Sequence, residues 1–364
     1  MNRKEFEFIL QEGEGLEIEF KSSVDKSISK EIVGFANACG GRIFLGVEDS
    51  GTVRGVDATN RLKSQIQDIA KNCDPSIKIN FETIQLDLAT VLVVSVKEGD
   101  DKPYQCSSGF YLRQGSSSQK LSRDEIVEFS IGEGKIRFDS QINKNFDFKS
   151  DFDEVKFGEY LKFTGVTPDI PLENMLINLG LYDGKFCNNA CVLFFAKNPS
   201  KYFLSSQVVC VNYQGNDKTN ILDKKIFDGG ITENIKETIN YVKRHINIEY
   251  EIKRAERREI LQYPEEAVRE VIVNAVMHRD YFDVSGDIVI EVFRNKLFVS
   301  NPGGLVKSLK TKDFGVVSRL RNPLIANLLA RTVYVEKLGT GISRIRNAMK
   351  DAGLSHPQFD YNAS

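Results

Sequence analysis

The chain has 364 residues, 41% of them hydrophobic and 27% charged, with a formal net charge of −2. These values predict a soluble globular protein of two or three domains and exclude any nucleic-acid reading drawn from overall charge, so a basic surface must be local. The longest apolar runs, Thr90 to Val96 and Cys191 to Ala196, are strand-length, and no apolar signal segment follows Met1, so neither a membrane span nor secretion is expected. Six scattered cysteines predict buried thiols in a reducing cytoplasm rather than a zinc site.

In chain order, Leu16 to Ser22 alternates, with Leu16, Ile18 and Phe20 expected inward and Glu17, Glu19 and Lys21 outward, as in a half-buried strand. Asp25 or Ser27 can cap a helix carrying Ile28, Ile32, Phe35 and Ala36, which Gly40-Gly41 ends. A buried strand over 42–47 follows, then a turn at Asp49-Ser50-Gly51 and a short partner strand to Val56. Next come a helix with Leu62, Ile66 and Ile69, a hairpin over 77–86 and 91–96, a strand over 110–113 opening into Gly115 to Ser118, and a short helix near Asp124 to Phe129.

Gly132-Glu133-Gly134 reads as a linker. Beyond it, Phe148 and Phe152 can dock on a neighbour, 156–163 and 172–181 read as helices, and Cys191 to Ala196 reads as a buried strand. Ser206 to Tyr213 reads as another strand, Ile231 to Ile248 as a long helix, and Arg254 to Ile260 as a charged lead into the next element. That element, Glu265 to Arg279, is an amphipathic helix by the spacing of Val268, Val271, Ile272 and Ala275, and Pro264 suits its first turn. Glu270, Asn274 and His278 fall one turn apart on a separate polar side. A carboxylate and an amide so spaced can share a hard cation such as Mg²⁺ and a water, although a solvated helix face is the plain alternative. A strand pair over 286–293 and 296–301 then leads to Asn301-Pro302-Gly303-Gly304. A second glycine turn, Gly339-Thr340-Gly341, opens a last helix; glycines ahead of a helix let backbone N–H groups approach phosphate.

Two resemblances follow from these residues. Glu19-Phe20-Lys21, the run Lys30 to Gly41, Phe44 to Gly51, and Tyr111 to Ser117 together resemble the Schlafen/AlbA-type DNA-binding domain, in order through most of residues 10 to 130. This implies an α+β fold and a predicted transcriptional regulator. Arg113 beside Ser116 and Ser117 would hold phosphate, and Lys21, Lys26, Lys30 and Arg42 would add a basic edge; such contacts position a strand without reading sequence. The alternative is a Schlafen-like metal-dependent nuclease in which Glu14, Glu19 and Glu48 gather with Lys21 helping.

The second resemblance is to the GHKL ATPases, in the divergent RecG-like C-terminal form, carried by the 265–279 helix, the two glycine turns, Arg321 to Asn327 and Glu336 to Ile342. It implies a GHKL-like α/β sandwich, a mixed sheet covered by helices, with ATP and Mg²⁺ as cofactors. Glu270 would polarise water, Asn274 would bind Mg²⁺, Asn301 would face adenine, Gly303 would contact the nucleotide, and Gly339, Thr340 and Gly341 would line the phosphates. His278 and Arg279 would border the pocket and 306–335 would form the lid. Asn301 stands where the family usually has aspartate, a stronger acceptor, so weak turnover is expected. No Gly-x-x-x-x-Gly-Lys-Ser/Thr loop is present, so helicase activity is not implied.

The expected domains are 1–132, nucleic-acid-binding; 133–200, connecting; and 201–364, GHKL-like. The expected protein is a cytoplasmic, homo-oligomeric DNA-binding regulator that senses or hydrolyses ATP, with a nucleotide-sensing interaction module that binds no nucleic acid as a further alternative. Relatives often continue into a winged helix, and the end at Ser364 predicts phosphate-directed, salt-dependent binding without one.

Overall fold

The computed structural model describes residues 3–361 apart from 26, 88, 166–169, 247, 254–255, 307–308, 310 and 336–338, with side chains left out over 248–261. Glu336, Lys337, Leu338 and Lys26, used in the resemblances, lie outside the described residues. The chain divides into two compact units, Met1–Ile136 and Arg137–Ser364.

In the first unit, α1 (Arg3–Glu12) precedes β1 (Ile18–Lys21), α2 (Ile28–Asn37), β2 (Gly40–Leu45), α3 (Asn60–Lys71), β3 (Ile79–Gln85) and β4 (Thr90–Lys97). The sheet runs β1-β2-β4-β3, with β1 parallel to β2 and the other pairs antiparallel. Both faces are covered, which explains continuous apolar runs in place of alternation. Ile43, Leu45, Leu92, Val94 and Val96 pack with α2 and α3, and Phe20, Phe44, Val91 and Val93 pack with Phe6 and Ile9 of α1. Beside this sheet a three-stranded ribbon, β5 (Gln105–Cys106), β6 (Gly109–Gln114) and β7 (Ser117–Lys120), is followed by α4 (Arg123–Gly132), which opens on a Ser122/Glu125 capping box.

The second unit begins with α5 (Phe148–Asp151), α6 (Glu154–Thr164), α7 (Leu172–Asn178) and α8 (Asn189–Phe195). Next come β8 (Val208–Tyr213), β9 (Ile221–Phe227), α9 (Ile231–His245), β10 (Ile248–Lys253), β11 (Glu256–Leu261), α10 (Glu265–His278), β12 (Ile288–Val292), β13 (Leu297–Ser300), α11 (Pro323–Ala330) and α12 (Gly341–Asp351). Its mixed sheet runs β13-β12-β8-β9, with β12 parallel to β8. Val208, Cys210, Ile288, Ile290 and Val292 face a core shared with α8, α9, α10 and α11, while Phe146, Phe152 and Phe157 from the 137–200 stretch join that same core. The fold is therefore α+β, a mixed sheet with helices packed on it.

Three local expectations are corrected. Cys191 to Phe195 is a helix rather than a strand, buried throughout and capped by Asn188, whose Oδ1 accepts from Cys191 N at 3.0 Å. An apolar run this short carries no period that separates a buried helix from a buried strand. Of the expected charged lead, residues 254–255 lie outside the described residues and Glu256 to Ile260 falls in β11, which pairs antiparallel with β10, Glu251 opposite Arg258. Part of the expected 306–335 lid is core: α11 places Ile325, Ala326, Leu328 and Leu329 in the interior.

Candidate functional site

In the first unit, α2 organises the surroundings of the β6–β7 turn. A Cβ on Gly34 would stand 2.8 Å from Ser118 Cβ, so this glycine lets the ribbon lie directly on the helix. Asn37, 2% exposed, donates to Tyr104 O at 2.9 Å and Tyr111 O at 2.8 Å, and accepts from Tyr104 N at 2.7 Å. Those bonds satisfy backbone groups that would otherwise be buried alone.

Arg113 was expected to face phosphate, and the structure turns it inward. Its side chain has no exposure, donates to Glu19 Oε2 at 2.7 Å, Glu31 Oε2 at 3.1 Å, Gly15 O at 2.7 Å and Ile18 O at 2.8 Å, and lies 4.8 Å over the Phe35 ring. Glu19, expected outward, is 4% exposed and also pairs with Lys21. Burial pushes the Glu31 carboxyl up, against the Ser118 hydroxyl, which donates to it at 2.5 Å. The physical reason for both corrections is that the ribbon and α2 cover the outer face of β1, which alternation alone reads as solvated.

Ser116 and Ser117 stay exposed at the turn, beside Gly115 at φ +61°. Lys30 is half-buried with Nζ 5.8 Å from the Tyr111 ring, and Arg42 lies 5.7 Å from the Phe44 ring. Of the carboxylates read as a nuclease set, half-buried Glu14 accepts from Phe20 N at 2.9 Å and is pushed up by burial, and Glu48 pairs with Arg54 at 2.8 Å. Among the described residues no group of three His, Cys, Asp or Glu side chains is placed to hold a metal ion.

In the second unit the site is built along α10. Glu270 is 5% exposed and Asn274 half-buried, so the side read as polar faces protein, not water. What covers it is the start of α12. A Cβ on Gly341 would stand 2.5 Å from Glu270 Oε1 and 2.7 Å from Asn274 Nδ2. The second glycine turn thus meets the carboxylate–amide pair directly, and Thr340 stands at the α12 N-cap. Gly339, at φ +86°, packs on Ser318.

The first glycine turn meets α10 one turn further on. Asp280 N donates to Pro302 O at 2.9 Å, and Arg321 donates to His278 O at 3.1 Å and Gly304 O at 2.8 Å. Asn322, 1% exposed, donates to Met277 O at 3.0 Å and Arg279 O at 2.8 Å. Arg321-Asn322 therefore satisfies the last carbonyls of α10, a role no sequence signal announced. Asp139, also missed, accepts from Leu324 N at 2.6 Å and caps α11 from far upstream in the chain. Asn301 sits half-buried with its amide 3.4 Å from Pro302 O, and Gly303 takes φ +99° where Arg321 and Asp280 crowd it. Burial, with the nearby Arg321 charge, pushes His278 down to about 4, so its imidazole is neutral at pH 7. The Arg279 side chain is fully buried and donates to Asp283 O at 3.0 Å and Gly286 O at 2.7 Å.

The donor types, though not their closed spacing, are those a Mg²⁺-bound polyphosphate would use. An amide oxygen and a carboxylate are hard-cation ligands, and the start of an 11-residue helix, entered through glycines, presents backbone N–H groups beside them.

Two family models match parts of the chain, neither of which includes α10. Residues 14–122 match the family model described as "Schlafen, AlbA_2", and residues 286–364 match the one described as "Putative ATP-dependent DNA helicase recG C-terminal". The chain is thus similar to a Schlafen/AlbA-type domain over residues 14–122 and to a RecG C-terminal, HATPase-like domain over residues 286–364. Among solved structures, the DIP2311 protein from Corynebacterium diphtheriae is similar in fold at 19% identity and a TM-score of 0.53, over 94% of this chain and 72% of that one. A second similarity, at 25% identity and a TM-score of 0.22, is to the N-terminal domain of a RecG-related protein from Nitrosomonas europaea, covering 29% of this chain and 82% of that one. No curated protein matches the chain.

Proposed function

We propose that this chain is a nucleotide-responsive nucleic-acid-binding regulator. Its second unit takes Mg²⁺·ATP between α10 and α12, and its first unit contacts nucleic acid, DNA in the first instance, through the β6–β7 turn. The observation that carries the nucleotide reading is the meeting of Gly341 with Glu270 and Asn274, three residues drawn from two distant stretches of chain. Bound Mg²⁺ would supply charge neutralisation for the phosphates. Asn274 would hold the metal through its amide oxygen. Gly339, Thr340 and Gly341 would present backbone donors to phosphate, and Glu270 would orient water. Asn301 and Gly303, tied to the end of α10, would shape the base end of the pocket. The first unit offers Ser116 and Ser117 as exposed hydroxyls, with Lys30 on α2 as a cation over the Tyr111 ring, a set suited to phosphate rather than to base edges. Homo-oligomerisation and cytoplasmic location belong to the same proposal.

Calorimetry with Mg²⁺·ATP on the full chain tests the nucleotide site. Wild type gives a saturable heat, and Asn274→Ala loses it. Equal heats from both, or none from either, reject the assignment.

A further inference from the structure

The contact between α12 and α10 has an electrostatic partner. Arg344 lies in the first turns of α12, where its N–H bonds Thr340 O at 2.9 Å. Its side chain, 15% exposed, places Nε 3.0 Å from Glu266 Oε1 and Nη1 3.7 Å from Glu270 Oε2. One guanidinium thus spans two carboxylates set one turn apart on α10. The other side of α12 is engaged as well. A Cβ on Gly315 would stand 2.9 Å from Ile342, Ser343 Oγ donates to Gly315 O at 3.4 Å, and Arg346 lies 5.6 Å over the Phe359 ring. Phe359 and Tyr361 in turn pack on Phe314, at 5.5 Å and 5.0 Å.

Space decides what this arrangement does. The N-terminus of α12 lies so near Glu270 and Asn274 that a single methyl group would collide with both. A hydrated magnesium ion with phosphate oxygens, whose metal–oxygen bonds alone are about 2.0–2.1 Å long, does not fit in that gap. Polyphosphate entry needs α12, or the Glu270 and Asn274 side-chain ends, to move, and withdrawal of Gly341 separates Arg344 from Glu266 and Glu270.

We propose that Arg344 is a latch that holds α12 closed on α10, and that binding of a nucleoside triphosphate is coupled to its release. The coupling rests on the nucleotide reading above; the latch is a property of the unliganded chain. On release, α12 carries Phe314, Phe359 and Tyr361 with it, so the event is legible at the surface of the unit. Because the competent state is the open one, apparent affinity is reduced by the open fraction, and weakening the latch tightens binding. The sign is diagnostic. If Arg344 were simply a cation for phosphate, removing it would weaken binding.

The test uses full-length wild type, Arg344→Gln, Glu266→Gln and Arg344→Lys. Without nucleotide, amide exchange over 341–346 should accelerate about tenfold in Arg344→Gln and Glu266→Gln, with Arg344→Lys between them and wild type. Unchanged exchange in both glutamine variants overturns the latch. With Mg²⁺ and a non-hydrolysable ATP analogue, calorimetry should show affinity about 3–10-fold tighter in Arg344→Gln and Glu266→Gln than in wild type. Binding of equal or lower affinity overturns the coupling while leaving the nucleotide site standing. No binding by any of the four proteins overturns the nucleotide reading and the coupling with it. Glu266→Gln guards against a folding defect, since its side chain is 46% exposed.

Discussion

At Arg113 a guanidinium stands where water does not reach, between Glu19 and Glu31. Removing one partner of a buried ion pair leaves the others uncompensated, so Arg113→Ala should lower the stability of the first unit by about 3–5 kcal/mol, read from the urea midpoint. A loss below about 1 kcal/mol would mean that water reaches the carboxylates after all. The same residue shows what the sequence hides. Strict alternation over 16–22 correctly places Phe20 inward, but it cannot show that a ribbon nearly a hundred residues later covers the opposite face of Glu19. His278 gives a pH signature. Its folded-state value, about 4, lies below the ordinary 6.5, so folding favours the neutral ring. The stability this contributes is complete above pH 6.5 and is lost as pH falls toward 4. His278→Gln should flatten the decline of the urea midpoint of the second unit over that interval; an identical slope would show that the ring titrates as if exposed.

Among the elements, α12 is sensitive to a small change. Gly341→Ala improves intrinsic helix propensity, yet its methyl group would meet Glu270 Oε1 at 2.5 Å. Steric conflict with the buried Glu270 should win, costing about 1–3 kcal/mol. Stabilisation in a urea titration would show that α12 is not seated on α10. The helix α10 was legible because its apolar period is long and Pro264 marks its start. The role of Arg321-Asn322 at its far end was not, because capping by distant side chains leaves no local pattern. Helix α8 failed for a different reason. Every one of its residues is buried and, after Asn189, apolar, so no polar face marks it. The β10–β11 hairpin was masked by charge: Glu251 opposite Arg258 and Lys253 opposite Glu256 read in one dimension as a solvated tract.

For the whole molecule, two units with separate cores predict separable responses. Saturating Mg²⁺·ATP stabilises only what binds it, by about 2.7 kcal/mol at a hundredfold excess over Kd. Differential scanning should therefore show one transition moving up and the other unmoved; two transitions moving together would mean that the units unfold as one. The order of domains was legible from motifs spread along the chain, whereas the assignment of 137–200 to the core of the second unit required the packing of Phe146, Phe152 and Phe157 to be seen. The parallel pairing of β8 with β12 also sets a timetable for biosynthesis. Val208 cannot meet Ile288 until the intervening chain has left the ribosome, at about 5–20 residues per second. Throughout that interval β8 presents an open edge to its surroundings, which makes the nascent second unit a client for chaperones that shield unpaired strands, and makes slow translation between these two strands a route to aggregation.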